Sequence, residues 1–508
     1  MNKPFPFRVN GLWRTEFAFM AFRRGISCVA LALFLYPVSA SAADILNIDR
    51  ENNAFYDSLS LSSGKSVSGR NVSPTSCYRL ERSGLTGSDP GCPASDAGKW
   101  NVKPLSTITA KFLVGNEEKA AIPGSSGLVY YKGANLFLFE DGYATYGDTF
   151  AFYYQLKQIE TEQLKQSQIF RAYAKYRFGK WSVEAGKDNV ALGPGEYGGL
   201  LLSTHAEPYP LIKIATEEPL DFFGKWDVTF MNGWLMWDKQ KDPSNSSVLA
   251  MRIAYSPADW FEFAATRITH YGGAGRPSYQ PNEYLSLIGG GGEHGGGRFN
   301  NDGIVSYDTT LRLPLNGLFP SVKSFTIYDE EASGDFGTFW QSYPAGAKQV
   351  DFIEWGQPSN TIGMTLALED DFFRLEYNRI VNGFYLHLNY PYEGYSFHDV
   401  SLGAFTGTNS RSLVYSHLHR FSGQARLKYQ IGEYEDPKVT QPYDPPVQMW
   451  RYFLVVEPQI SFGPHAVSLY MRYDRTTNYD TNFMANQYSV VPENKDFYTL
   501  GISVTMAL

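Results

Sequence analysis

The sequence predicts an all-β protein, a transmembrane antiparallel β-barrel of the bacterial outer-membrane type. Beyond residue 42 no stretch approaches the ~18 consecutive apolar residues that a membrane-crossing helix needs. Segments that alternate apolar and polar residues recur along the chain, each close to the ~9–11 residues with which a tilted strand crosses hydrocarbon. Aromatic residues make up 16% of the chain, and many Trp and Tyr stand at the ends of these segments, where barrels carry aromatic girdles. A soluble β-sandwich or propeller also alternates, but it rarely needs so many Trp and Tyr at strand ends.

The N-terminus reads as a secretory signal peptide. Arg23 and Arg24 precede an apolar run from Ile26 to Tyr36, followed by Pro37 and the small residues Ala40 and Ala42, an Ala-x-Ala cleavage pattern. Translation starts at Met1 or at Met20, which stands just ahead of the arginines. Cys28 lies behind Gly-Ile-Ser at the start of the apolar run, the wrong setting for a lipoprotein cysteine. Of 44 basic and 52 acidic residues, residues 1–42 hold Lys3, Arg8, Arg14, Arg23, Arg24 and Glu16, so cleavage near Ala42 leaves 39 and 51, a net charge of −12. An acidic exported chain without basic patches is no nucleic-acid binder.

Residues 43–104 are rich in Asn, Ser, Gly and Pro, with a short helix hinted over Tyr56 to Leu61, and read as a periplasmic N-terminal segment or plug. Cys77 and Cys92 are the two cysteines left after cleavage, which in an exported protein most simply implies a disulfide. From about residue 105 the barrel begins. Phe170 to Phe178 places apolar residues on one parity and Arg171, Tyr173, Lys175 and Arg177 on the other, so one face meets lipid and the other carries three cations. Gly179-Lys180 is a tight turn, and Trp181, Val183 and Ala185 resume the alternation.

Similar segments run over Thr149 to Gln158, Trp226 to Trp234, Val248 to Tyr255, Trp260 to Thr269, Val305 to Leu313, Thr361 to Leu368, Phe372 to Ile380, Leu413 to Phe421, Gln424 to Ile431, Phe453 to Phe462 and Ala466 to Tyr473. Short turns such as Glu369-Asp370-Asp371 alternate with long Gly-, Pro- and Tyr-rich connections, the asymmetry of outer-membrane barrels. The last segment is apolar at Tyr498, Leu500, Ile502, Val504, Met506 and Leu508, as a lipid-facing closing strand requires. At roughly 25 residues per strand with its loop, the chain after cleavage suits about 16 to 18 strands.

The most specific stretch is Glu184-Ala185-Gly186-Lys187-Asp188, then Leu192-Gly193-Pro194-Gly195-Glu196-Tyr197-Gly198-Gly199-Leu200-Leu201-Leu202-Ser203-Thr204-His205-Ala206, then Pro208 to Ile214. It resembles the hallmark of the Wzi family of capsule assembly proteins: a strand ending in Gly-Arg/Lys-Asp, a Gly-Pro-Gly turn, a Leu-x-Leu-Ser segment and a Pro-rich strand. Gly272-Gly273-Ala274-Gly275-Arg276-Pro277, Asn300-Asn301 with Tyr307-Asp308, and Leu402-Gly403 with Gly407-Thr408-Asn409 are similar to later family elements. Ala191-Leu192, His205 and Ala404 depart from the residues usual there: tryptophan, Asn and His.

The resemblance covers roughly residues 105–508 and implies an 18-stranded outer-membrane barrel with short periplasmic helices. Such a protein is expected to be lectin-like, organising, attaching or helping to export capsular or exopolysaccharide. Its expected partners are that polysaccharide, outer-membrane lipid and other polysaccharide-export proteins, with no cofactor. Candidate polysaccharide-binding residues are Arg171, Tyr173, Lys175, Arg177, Lys187, Asp188, Arg276 and Asp308, because cations, carboxylates and tyrosine faces suit sugar hydroxyls, uronates and rings. The cationic row equally suits pairing with acidic residues across the lumen. Gly186, Gly193, Pro194, Gly195, Gly199, Ser203, Gly272 and Gly273 are structural motif positions, with Gly193-Pro194-Gly195 read as a sharp bend into or over the lumen. Gly289 to Arg298 is either a loop for close approach of a polymer or a solvent loop.

Two other classes compete. A diffusion porin needs an open lumen with charges at a constriction. A barrel hydrolase needs a nucleophile with a base, or two carboxylates at one site. Ser416 and His417 are adjacent in a strand and so face opposite sides, while Glu330-Glu331 and Asp370-Asp371 read as solvated turn doublets. His417 and His419, two apart in a strand, are expected to line the lumen together rather than to bind zinc, so no metal site is expected.

Overall fold

A computed structural model describes residues 99–508 apart from 123–124, 148, 198, 237, 239–242, 289–300, 314, 335–357, 382–383, 386–394, 399, 408–409, 423, 438–447, 463–464 and 478–493. The expected signal peptide, the segment through residue 98 with its Tyr56–Leu61 helix, the Cys77–Cys92 pair and the Gly289–Arg298 run lie outside the described residues.

The strands, in order, are β1 Trp100–Ala121, β2 Val129–Tyr146, β3 Phe150–Thr161, β4 Lys165–Phe178, β5 Trp181–Asp188, β6 Tyr209–Thr216, β7 Leu220–Asp221, β8 Lys225–Trp234, β9 Ser247–Ala258, β10 Phe261–Tyr271 and β11 Asp302–Leu313. They continue with β12 Ser324–Gly334, β13 Ser359–Ala367, β14 Asp371–Ile380, β15 Ser396–Phe397, β16 Val400–Ser401, β17 Ser410–Ser422, β18 Ala425–Pro437, β19 Gln448–Phe462, β20 His465–Thr477 and β21 Lys495–Ala507. Leaving out β7, β15 and β16, each strand pairs antiparallel with its neighbours in sequence, and β21 pairs with β1 from Thr107↔Ala507 to Gly115↔Thr499. Among the described residues, eighteen strands thus close into a barrel and no edge is left unpaired. The expected closing strand is confirmed, whereas β1, β2 and β12 were not singled out by alternation.

The two parities of the wall meet different media. Phe112, Leu136, Ile169, Ile362, Leu454 and Leu500 point outward and are each 40–55% exposed. An apolar exterior of that extent suits hydrocarbon rather than water. The opposite parity is buried and charged: Lys175, Glu184 and Lys213 stand in register across β4, β5 and β6. Buried charges are tolerable because each is paired, as in Lys213 Nζ to Glu184 Oε2 at 2.8 Å.

Both chain ends of the barrel lie at the rim with short turns, which carries exposed Trp100, Phe222, Phe223, Trp260, Phe421 and Phe462, an aromatic belt. The long connections leave the other rim. Among the described residues, helix is confined to a turn at Tyr284–Ile288 on the long-loop side and 3-10 turns at Pro281–Glu283 and Leu315–Gly317.

Three sequence expectations are corrected here. Phe170 was placed on the outward parity, but β3 and β4 shift register between Gln155↔Arg171 and Leu156↔Ile169, and this bulge turns Phe170 inward under Lys157, whose Nζ lies 4.3 Å from the ring centroid. His417 and His419 do share a face, but it is the outer one, because Ser412, Val414, Ser416 and Leu418 take the buried parity of β17. Glu330 and Glu331 are not a solvated turn: they sit mid-strand in β12, opposite Thr361 and Asn360, and Glu330 is fully buried.

Candidate functional site

The described parts of two long-loop connections fold inward and pack into the lumen. The first, 189–208, follows Asp188 at the end of β5. Gly193 has φ +95°, and a Cβ there would stand 2.6 Å from Glu330 Oε2, so the bend requires glycine on two counts. The Gly193-Pro194-Gly195 bend lets the chain return, and Leu192 N donates to Leu202 O at 2.9 Å. The second connection, 381–409, contributes Phe384, Tyr385, Tyr395, Phe397, Leu402 and Ala404. With Leu192, Leu200, Leu201 and Leu202 these form one apolar core that reaches wall residues Leu211, Met231, Ala250, Ile268, Ile304, Ala332 and Ile380.

Buried loops carry backbone groups that need partners, and the two connections satisfy each other. Tyr385 Oη donates to Leu200 O at 2.7 Å and accepts from Ala404 N at 2.9 Å. Ser203 N donates to Leu402 O at 2.8 Å, and Ser203 Oγ donates to Gly403 O at 2.6 Å. The wall supplies the rest. Glu376 accepts from Glu196 N and Tyr197 N, both at 2.7 Å, and from Tyr328 Oη at 2.6 Å. Glu330 Oε2 accepts from Leu200 N at 3.3 Å, Arg374 pairs with Glu196, and Gln430 Nε2 donates to Tyr197 Oη at 2.6 Å. Tyr197 also packs beside Val414, Phe453 and Val455, so plug contacts extend to β17 and β19.

Where the plug returns to β6, Glu207 receives Lys157 Nζ at 2.5 Å and faces His398 Nδ1 at 3.2 Å, while His398 N donates to Asp238 Oδ2 at 2.8 Å. Burial would raise the Glu207 carboxyl, but the His398 hydrogen bond and the Lys157 charge together hold it down at about 2. His205, buried beside the Phe405 ring, is pushed by desolvation down to about 4 and is therefore neutral.

The candidate binding residues divide sharply. Lys175 pairs with Glu217 at 2.7 Å, Arg177 pairs with Glu218, and Arg171 donates to Ser126 Oγ at 2.7 Å and lies 3.5 Å from Asp188. Tyr173 is buried in tilted contact with Tyr153 at 5.4 Å. Asp308 forms a bidentate pair with Arg252, which also approaches Glu262, itself 3.1 Å from Arg312. Each cation of the row thus has a carboxylate partner on the neighbouring part of the wall, on β5 or directly after β6, rather than across the lumen. Lys187 takes the parity opposite to Asp188 and donates to Ile169 O at 3.0 Å. Arg276 alone of the eight lies outside the strands, in the Gly272–Pro277 turn on the long-loop side, where Gly272, Gly273 and Gly275 all have positive φ and Ala274 N donates to Ser244 O at 2.8 Å.

Gly186 has φ +149° and an added Cβ would meet Ala172 O at 2.2 Å; at Gly199 the nearest atom to an added Cβ would be Leu202 O at 3.3 Å. Of the wall residues that hold the plug, Glu376 and Arg374 carry no distinguishing signal, each at an inward position of an ordinary alternating strand, and Glu330 stands out in the sequence only as half of the doublet read as a turn.

A family model for capsule assembly protein Wzi matches residues 109–480. The chain belongs to the Wzi family of capsule assembly proteins. No curated protein matches it in sequence. Among solved structures, the Escherichia coli Wzi, described as an outer-membrane, carbohydrate-binding β-barrel involved in group 1 capsule assembly, shares 14% identity over 92% of this chain and 100% of that one, with a TM-score of 0.64. That likeness is one of fold. Pseudomonas aeruginosa OprD (8% identity, 83% of this chain and 98% of that one, TM-score 0.45) and OpdQ (10%, 80% and 97%, 0.44) are more distant. The plug loop and the Gly272–Pro277 turn of this Wzi-family chain both fall inside the matched region.

Proposed function

We propose that this protein is an outer-membrane, carbohydrate-binding barrel that organises, attaches or helps to export capsular or exopolysaccharide at the cell surface. One observation carries the reading: in a barrel of a capsule assembly family, the lumen holds a packed apolar plug where a diffusion porin needs an open path. The short-turn rim, with both ends of the barrel, faces the periplasm, and the long-loop rim faces outward. In this reading the exported chain is cleaved near Ala42, and the periplasmic segment expected over residues 43–104, cut short by the start of β1 at Trp100, carries a Cys77–Cys92 disulfide. Other polysaccharide-export proteins are its further partners.

Glycan contact belongs at the long-loop rim. There Arg276 lies close to Tyr279, and Tyr279 and Tyr284 pack with Tyr271, with centroids 5.0 Å apart for Tyr271–Tyr279 and 6.1 Å for Tyr279–Tyr284. Tyrosine rings bury apolar sugar faces while a guanidinium bonds hydroxyls or uronate. Arg171, Tyr173, Lys175, Arg177, Asp188 and Asp308 hold the wall and plug in this reading, and do not touch the polymer.

The test is the ratio of cell-bound to released polysaccharide in a strain lacking the protein. A fall in the bound share, restored by the wild-type gene and not by an Arg276→Ala/Tyr279→Ala variant that inserts normally, is the expected result. An unchanged ratio in the deletion strain would refute the assignment and return the porin to first place.

A further inference from the structure

We propose that Asp371, His417 and His419 form a binding site for one divalent transition-metal ion, with Zn²⁺ the best match, on the outer face of the wall at the short-turn rim. The register of β14 against β17 sets Asp371 directly opposite His419, and His417 is two residues along on the same face. His417 Nε2 lies 2.6 Å from Asp371 Oδ1, and His419 Nδ1 lies 2.7 Å from the same oxygen, so two imidazole nitrogens from one strand converge on one carboxylate oxygen of the next. One ligand atom from each residue falls within 4.8 Å of the others. Ligand atoms around tetrahedral zinc, at bonds of ~2.0–2.1 Å, stand roughly 3.3 Å apart. The two nitrogen–oxygen separations are shorter than that, so the carboxylate has to swing back from the rings to admit an ion.

The donor set and its surroundings favour a cation. The donor set is two imidazole nitrogens and one carboxylate oxygen, all of them lone-pair ligands suited to a divalent transition metal. That set also matches the three-protein-ligand pattern in which water completes the shell. The rings are pre-oriented: Phe373 stacks on His417 at 4.2 Å and 5°, Tyr429 meets it edge-on at 5.0 Å, and Phe421 meets His419 at 4.4 Å. The three side chains are 14–33% exposed, so an ion can arrive from water at the rim while aromatic rings shield the site from the side. An ion there would staple β14 to β17, the two wall strands joined by the plug connection 381–409, at the end opposite the plug.

The test uses the full barrel purified without a polyhistidine tag, stripped with a chelator and titrated with Zn²⁺ by calorimetry near neutral pH. We expect one ion per chain at micromolar affinity or tighter, a raised Tm with zinc, and at least about a tenfold loss of affinity in His417→Gln/His419→Gln. Co²⁺ binding to the wild-type barrel should give the intense visible bands of a tetrahedral site, and Asp371→Asn should weaken them. Zinc binding equal in wild type and double variant overturns the proposal. Should the double variant fail to insert, the wild-type Co²⁺ spectrum decides, and absent or octahedral-type bands overturn it.

Discussion

Glu376 and Glu330 are wall residues whose main partners belong to the plug. Glu376 accepts two plug N–H groups at 2.7 Å and Glu330 accepts a third at 3.3 Å. Hydrogen bonds to a charged group are worth about 1.5–3 kcal/mol each, and donors left unpaired in a dry site cost more than the bonds gave. Glu376→Ala is therefore expected to weaken plug docking by about 2–4 kcal/mol, seen as faster amide exchange over residues 193–202 with the wall strands unchanged. Gly193→Ala introduces both a strained φ and a Cβ against the Glu330 carboxylate, and should cost about 1–3 kcal/mol. The same exchange measurement checks it.

Two plug residues set an acid limit. His205 stays neutral in the folded protein down to about 4, whereas its ordinary value is 6.5, so between those values the unfolded chain binds more protons. Its contribution is complete above 6.5 and is lost as pH falls towards 4, a loss on the order of 3 kcal/mol. Glu207, lowered from 4.5 to about 2, adds stability present above 4.5 that is lost as pH falls to 2. Denaturant unfolding from about pH 8 to about pH 3 should thus weaken in two steps, and His205→Asn should remove the upper one. A variant with an unchanged upper step would show that another group titrates there.

At the scale of elements, the wall strands were legible because a pleated strand with lipid on one side and packed charge on the other must alternate. The same rule kept Ser416 and His417 on opposite faces. It failed where a local irregularity intervened: Phe170 is itself the extra residue of a bulge in β4, between Ile169 and Arg171, and so turns inward. Parity alone also could not say which face of β17 looks in, and that choice put His417 and His419 outside. The plug was only half legible. Gly193-Pro194-Gly195 announces a sharp bend, and the structure places that bend inside the lumen. Its partners, Tyr385 and Leu402, lie almost two hundred residues away, and no local pattern links them. Tyr385→Phe deletes a hydroxyl that bridges both connections, and should cost about 1–3 kcal/mol of plug stability, readable as increased protease nicking within 189–208.

For the whole molecule, the plug and the wall divide the work: the wall meets lipid and the plug fills the lumen. The intact barrel in a planar bilayer is expected to show no steady conductance. Replacing residues 193–202 by a Gly/Ser linker removes the leucines at the centre of the core and should yield discrete open events. Steady conductance by the intact protein would place an open path beside the plug and favour the porin. By itself the sequence determined the architecture, through alternation along most strands, turn length, the closing apolar strand and the family motifs, because these are local and repeat many times. Tertiary structure alone decided that the cationic row is neutralised by Glu217, Glu218 and Asp188, that Glu330 and Glu376 dock the plug, and that the histidine pair faces out. Those outcomes depend on contacts between distant segments and on the closure of the barrel, and neither is encoded in any short stretch of chain.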